Sequence, residues 1–234
     1  MRVQVDGGED CTITFQDVID NRACNYYIAL KEIWYVIGYY NISSKLGNNL
    51  AEYSNGAVTK TVKLPDGLYT IDSYFSEIHD QMKSKSDKDK PANIKLQKWA
   101  FNGKIVIRVS EKYTFNITSS NKELLGFNDT DTITLAGTSD KPINFNPFVN
   151  LYIHVQEINR TKNYVNGQYS DVIKCLPLTK SSFGETVSNT TSSLYIPLLN
   201  TTINSLHITV TDIDNKIINF HGMPISYVFD IKQI

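Results

Sequence analysis

The chain of 234 residues carries 23 Lys and Arg against 24 Asp and Glu, a formal charge of -1, so it lacks the cationic surplus that gripping a phosphate backbone requires. Hydrophobic residues make up 41% of it, enough for the core of one large or two small domains and too many for an intrinsically disordered chain.

The opening residues, MRVQVDGGEDC, hold no apolar stretch of the length a secretory signal needs, and no Gly follows Met1 to accept a myristoyl group. A cytosolic start is therefore expected. Cys11, Cys24 and Cys175 are odd in number and lack CxxC spacing, which points to reduced thiols and away from a disulfide framework or a zinc knuckle.

From there most segments alternate apolar and polar residues at period two, separated by Asn, Asp, Gly and Pro clusters, so the chain reads as mainly β. The first strands are predicted at Cys11 to Phe15, Tyr26 to Tyr35 and Thr59 to Leu64. The most apolar run, Ile33 to Tyr40, is far shorter than the ~20 residues of a membrane-spanning helix. After the turn Leu64-Pro65-Asp66-Gly67 the period changes. Ile71, Tyr74, Phe75, Ile78 and Met82 fall on one helical stripe, with Thr70 or Asp72 as the cap.

The charged run Lys83 to Lys90, KSKSDKDK, reads as a solvated loop. A hairpin is predicted from Asn93 to Ala100 and Lys104 to Ser110, joined through Asn102-Gly103 in a tight type I′ turn. Tyr113 to Ile117 should extend that meander, with Tyr113, Phe115 and Ile117 on one face. A second helical turn is expected at Asn121 to Leu125, ended by Gly126 in the left-handed conformation. Later strands are predicted at Asp131 to Ala136, Asn150 to Ile158, Val172 to Leu176 and Leu194 to Leu198, with a loop over Ser181 to Ser193. Three more close the chain: Ser205 to Asp212, Lys216 to Phe220 after a turn at Asp214-Asn215, and Ile225 to Ile231.

Sites of chemistry are few. His79, His154, His207 and His221 never recur at metal-site spacings, and all are expected to face solvent. Cys175 with His154 or His207 as base could make a nucleophile, but Cys175 lies in an apolar run and is expected to pack as a small buried hydrophobe, as are Cys11 and Cys24. The carboxylate pairs Asp129 and Asp131, and Asp212 and Asp214, lack the glycine and terminal glutamate of a calcium loop; the second pair reads as a hairpin turn. Six Asn-x-Ser/Thr triplets, at Asn41, Asn116, Asn128, Asn159, Asn189 and Asn200, are expected by chance in so Asn- and Thr-rich a chain. Tyrosines, including the pairs Tyr26-Tyr27 and Tyr39-Tyr40, suit either sheet packing or an interface. No catalytic residue, cofactor site or metal site is assigned.

The order of features resembles the jelly-roll structural proteins encoded by Polinton/Maverick elements, adintoviruses and their relatives. The residues that carry the likeness are YYIALKEIWYVIGYYNIS (26–43) with Asn48-Asn49, LPDGLYTIDSYFSEI (64–78), LLGF (124–127), NLYIHVQEI (150–158) leading to YVNGQYSDVI (164–173), and INSLHITVTDIDNKIINFHGMPISYVFDI (203–231). The resemblance implies a single antiparallel jelly-roll β-sandwich with one amphipathic helix after the early strands, occupying residues 1–234 as one domain with a short N-terminal extension. It implies a non-enzymatic capsid protein of vertex (penton-like) or minor type, because the double-roll major capsid proteins of that group need a much longer chain. Its partners would be copies of itself, as pentamer or trimer, and other capsid proteins. No specific nucleic-acid binding or membrane insertion is expected. Its place would be the virion, after synthesis in the host cytoplasm and with the nucleus as one site of assembly. The alternative is a carbohydrate- or receptor-binding β-sandwich.

Overall fold

The computed structural model describes residues 1–22, 25–54, 56, 58–84, 95–98, 102–111, 113–128, 132–146, 148–160, 164–165, 168–178, 183–190 and 194–234. The chain divides into two compact units, Met1–Tyr39 with Phe148–Ile234, and Tyr40–Pro147.

The first unit begins with β1 (Arg2–Gly7), β2 (Asp10–Asp20) and β3 (Tyr26–Val36). After the second unit it resumes with β11 (Asn150–Val155), β14 (Val172–Pro177), β15 (Thr186–Thr190), β16 (Ile196–Pro197), β17 (Thr202–Thr211) and β18 (Ile225–Gln233). A short ribbon, β12 (Tyr164–Val165) with β13 (Gln168–Tyr169), lies between β11 and β14. Alternation drives the layering. Leu206, Ile208 and Val210 of β17 are buried, and polar residues alternate with them.

One antiparallel sheet runs β1-β18-β3-β15, with β16 paired to the other half of β3; the second runs β14-β11-β17-β2. Counting β15 and β16 as one broken strand gives eight strand positions, in the orders 1-8-3-6 and 5-4-7-2. That is the double Greek key of a jelly roll, and the fold is the antiparallel jelly-roll sandwich expected. Residues 2–7 are the edge strand of the first sheet.

The long strand β3 shows why simple alternation fails within it. The register against β18 passes from Val228↔Glu32 to Phe229↔Leu30, which leaves Lys31 as an extra bulged residue. The buried set shifts from Ile28 and Leu30 to Ile33 and Tyr35 across that bulge. Each still meets a buried partner on β18, in the pairs Ile231↔Ile28, Phe229↔Leu30, Tyr227↔Ile33 and Ile225↔Tyr35. Burying side chains of this size contributes about 1.5–3 kcal/mol each.

The second unit contains β4 (Leu50–Ser54), β5 (Thr59–Lys63), α1 (Ile71–Ser84), β6 (Lys95–Lys98), β7 (Ile105–Arg108), β8 (Thr114–Asn116), α2 (Ser119–Leu125), β9 (Thr132–Thr134) and β10 (Ala136–Thr138). They form two small antiparallel sheets, β5-β4-β8-β9 and β10-β7-β6. The helical stripe is as predicted: Ile71, Tyr74, Phe75, Ile78 and Met82 are all buried, in one cluster with Tyr53, Val62, Ile105, Ile107, Phe115 and Leu125. Thr70 caps α1 reciprocally, its Oγ1 accepting the Ser73 N–H at 3.2 Å while Ser73 Oγ accepts the Thr70 N–H at 2.9 Å. Gly126 ends α2 at φ 76°, ψ 24°.

Several expectations are corrected. β6 and β7 do pair, but in the register Lys98↔Ile105, so the connection is six residues long and Asn102-Gly103 makes no two-residue turn. β8 pairs with β4 and β9 and so does not continue that meander. The turn at Asp214-Asn215 is present, with Asp212 Oδ1 accepting the N–H groups of Asp214 and Lys216 at 2.9 Å each. Residues 216–220, however, make a single bridge, Thr211↔Ile217, and no strand; β18 crosses to the other sheet. Part of the loop predicted over Ser181 to Ser193 is the strand β15. The run 85–90, with Cys24, Asp129 and Asp131, lies outside the described residues.

Candidate functional site

Polar residues of chemical interest collect on the outward face of the second sheet. His154 of β11 lies between its neighbours in the sheet order, β14 and β17. A register shift on β14 moves the pairing from Ile153↔Lys174 to His154↔Val172, and the residue before Val172 is Asp171. The His154 Nδ1 stands 2.7 Å from Asp171 Oδ1, and its Nε2 stands 2.8 Å from Thr211 Oγ1. Arg160 donates to the other oxygen of Asp171 at 2.6 Å. The His154 bond, foremost, and the Arg160 charge hold the Asp171 carboxyl below its ordinary range against the opposing effect of burial. On β17 itself, His207 Nε2 is 2.7 Å from Asp10 Oδ1, its Nδ1 is 3.0 Å from Gln156 Oε1, and its backbone N–H donates to Glu157 Oε2 at 2.9 Å. Burial raises the Glu157 carboxyl above its usual range in spite of that bond.

An acid, a histidine and a hydroxyl in this sequence of contacts have the connectivity of a hydrolytic triad. The geometry assigns them another role. Thr211 is 5% exposed, and its hydroxyl is buried in the sheet with both the His154 ring and the Asp212 carbonyl, at 3.0 Å, within hydrogen-bond distance. The arrangement is a clamp across three segments, the strand β17, the strand β11 and the stretch 156–171 that joins β11 to β14.

The residues considered from sequence fall as follows. His154 is not solvent-facing as expected, since its side chain is only 12% exposed and bonded at both nitrogens. His79 lies on the partly exposed side of α1, 3.9 Å from Asp80, and His221 holds the Gly38 carbonyl through Nδ1 at 2.8 Å. Cys175 is exposed, contrary to expectation, because it stands opposite Tyr152 on the outward side of β14 while Leu176 turns inward. Cys11 is half-buried, and burial raises its thiol. Among the described residues no group of three or more His, Cys, Asp or Glu is placed to hold a metal ion, and no described helix is long and apolar enough to cross a membrane. Asn41 is a structural clamp: its side chain donates to the Tyr69 and Phe145 carbonyls at 2.7 Å each and accepts the Tyr69 N–H at 2.7 Å.

Sequence reasoning missed Asp171 and Arg160. They lie 17 and 6 residues from His154, and only the strand pairing of β11 with β14 brings the carboxylate to the ring. Among the described tyrosines, Tyr35, Tyr39, Tyr53, Tyr74, Tyr152 and Tyr227 are buried and serve packing. Several exposed apolar side chains lie near strand ends. In the first unit Val18, Val149, Leu194, Ile213 and Ile217 are all more than half exposed, and the sheets end on β1, β2, β14 and β15, whose edges offer backbone donors and acceptors.

No protein-family model matches the chain, and no curated protein sequence matches it. Solved structures do. The crystal structure of the selenomethionine-labelled mavirus penton protein aligns over 100% of both chains with a TM-score of 0.51 and 11% identity. A chain from the 3.5 Å cryo-EM structure of the Sputnik virophage aligns over 97% of both chains with a TM-score of 0.37 and 9% identity. The chain thus shares its fold with a penton protein.

Proposed function

We propose that the protein is a penton-like capsid component that acts by self-association and by contact with other capsid proteins. The observation that carries the reading is the alignment with the mavirus penton protein over the whole of both chains, at a TM-score of 0.51. Such a role needs surfaces and no active site. The exposed apolar residues at strand ends supply apolar area for contact, and the Thr211 hydroxyl of the histidine clamp is buried in the sheet. A vertex is a ring, made by a heterologous interface whose rotation closes at five copies.

The virion is the place this reading assigns to the protein. Multi-angle light scattering of the purified protein, alone and co-expressed with the other structural proteins of its genome, tests it. A discrete five-fold multiple of the 26.5 kDa chain mass, or incorporation into shells at their vertices, is the expected result. A monomer that persists at high concentration and is left out of shells formed by the other proteins would refute the proposal.

A further inference from the structure

Asn102-Gly103 makes no two-residue hairpin turn, and the geometry it does adopt suits a different chemistry. The Asn102 side chain folds back along the chain, where its Oδ1 accepts the N–H of Lys104 at 3.1 Å, the Asx turn that asparagine forms with the residue two positions on. Asn102 and Gly103 are both exposed. The chain that follows is held in place, since the Gly103 carbonyl accepts the Ile143 N–H at 3.1 Å and the Ile105 N–H donates to Ser139 Oγ at 3.0 Å. Gly103 has φ 66° and no side chain to shield its amide nitrogen. The same bond is made by two other exposed asparagines: Asn144 Oδ1 accepts the Asn146 N–H at 3.2 Å, and Asn219 Oδ1 accepts the His221 N–H at 2.7 Å. There the residue in the middle of the turn is Phe145, packed against the core of its unit, or Phe220, which is fully buried.

We propose that Asn102 is a self-modification site, at which the Gly103 backbone nitrogen displaces the side-chain amide of Asn102 and converts the residue to aspartate or isoaspartate. The Gly103 N–H gives its proton to solvent base, its nitrogen bonds to Asn102 Cγ, and the Cγ–Nδ2 bond breaks. Nδ2 leaves as ammonia and a cyclic imide remains. Water then opens the ring: breaking the new N–Cγ bond gives aspartate, and breaking the original N–C bond gives isoaspartate. The sum is asparagine plus water to acid plus ammonia, with nothing oxidised or reduced. As Cγ becomes tetrahedral its oxygen gains negative charge, and the Lys104 N–H already points at that oxygen, so a backbone donor stands where the charge develops. Attack within one chain at an unhindered amide needs no encounter. At Asn144 and Asn219 the same donor is present, but the attacking nitrogen belongs to a phenylalanine whose ring is packed. Either product adds a negative charge beside Lys104; isoaspartate also takes the main chain through the former side chain and dissolves the Asx turn. This chemistry is independent of the capsid reading.

The test is to age the full-length protein in heavy-oxygen water at mildly alkaline pH and map its peptides by mass spectrometry, which separates this site from the other Asn-Gly pairs, Asn55-Gly56 and Asn166-Gly167. The peptide holding residue 102 should exchange its amide for a hydroxyl carrying the heavy oxygen, at a rate in the folded protein no lower than in the urea-unfolded chain and rising with pH, while the peptides holding Asn144 and Asn219 stay unchanged. N102Q, an exposed substitution whose longer side chain must close a larger ring, should lose the signal. Modification that is slower in the folded protein than in the unfolded chain would show that the fold protects the site and overturn the proposal. Equal rates at Asn102, Asn144 and Asn219, or a signal that persists in N102Q, would overturn it as well.

Discussion

At the scale of single residues, the fold is exacting about hydroxyls and about one glycine. Tyr35 and Tyr227 are both fully buried aromatic residues of the same sheet, yet Tyr227 donates to the Gly8 carbonyl at 3.0 Å while the Tyr35 hydroxyl has no hydrogen-bond partner among the described residues. Tyr227→Phe should therefore lower stability by about 1 kcal/mol, and Tyr35→Phe should leave it unchanged or raise it by as much as ~1–3 kcal/mol; urea unfolding midpoints compare the two directly. Burial pushes the Tyr35 phenol up to about 12, and those of Tyr74 and Tyr227 higher still. A phenol raised on folding contributes stability that is complete below the unfolded value near ~10 and disappears as pH climbs beyond it. Alkaline unfolding should accordingly begin above about pH 10, with the phenolate absorbance of the buried tyrosines rising cooperatively alongside loss of the far-ultraviolet β signal; ionisation of Tyr35, Tyr74 and Tyr227 in a protein that keeps its β signal would contradict it. Gly126 is required twice over. Its φ of 76° disfavours a side chain, and a Cβ there would lie 2.2 Å from the Lys141 carbonyl oxygen. Gly126→Ala should cost more than the ~1–2 kcal/mol of left-handed strain alone, measurable as a lowered thermal midpoint.

At the scale of elements, α1 is the clearest case of sequence becoming structure. Its stripe meets the inner faces of the small sheets, where Tyr74 packs edge-on to Phe75 and Phe145 with ring centroids 5.2 and 5.5 Å apart. Ile78→Ala should cost about 2–5 kcal/mol by leaving a cavity beneath it, whereas Thr70→Ala should cost only ~0.5–2 kcal/mol by removing the cap; helical ellipticity and melting temperature separate the two. These local devices are legible because each is written within a dozen residues: the 3.6-residue period of α1, the glycine that closes α2, the alternation of Leu206, Ile208 and Val210. What stays illegible depends on partners far away in the chain. Nothing near Lys31 marks it as a bulge, because the shift exists only against Val228 and Phe229. The polar face of β11 says nothing of Asp171, which reaches His154 through the pairing of two strands. Residues 216–220 alternate like a strand, yet the chain must cross from the second sheet to the first after β17, and that crossing leaves them without a ladder. Cys175 departs from expectation for a related reason, since a run of apolar residues at a sheet edge does not disclose which side turns inward.

At the scale of the whole molecule, the jelly roll is interrupted and its order still closes. β3 and β11 are third and fourth in the roll, and the 108 residues of Tyr40–Pro147 stand between the two stretches that carry them. The chain leaves the roll at Tyr39 and re-enters at Phe148, and those two rings touch edge to face with centroids 5.0 Å apart. Exit and entry are therefore neighbours, and closing a short loop there costs little entropy. The second unit, for its part, buries its own cluster around α1, β4, β7 and β8. Each unit thus has the apolar core that independent folding requires. Replacing residues 40–147 with a short Gly/Ser linker should leave a roll that unfolds in one cooperative transition with the β-sheet spectrum retained, and the fragment 40–147 should fold alone with the helical signal of α1. Calorimetry and circular dichroism of the two pieces check this against the intact chain. If the excised roll is unstructured while the intact protein melts in a single step, then the two units form one cooperative body, and the roll depends for its folding on the segment it surrounds in sequence.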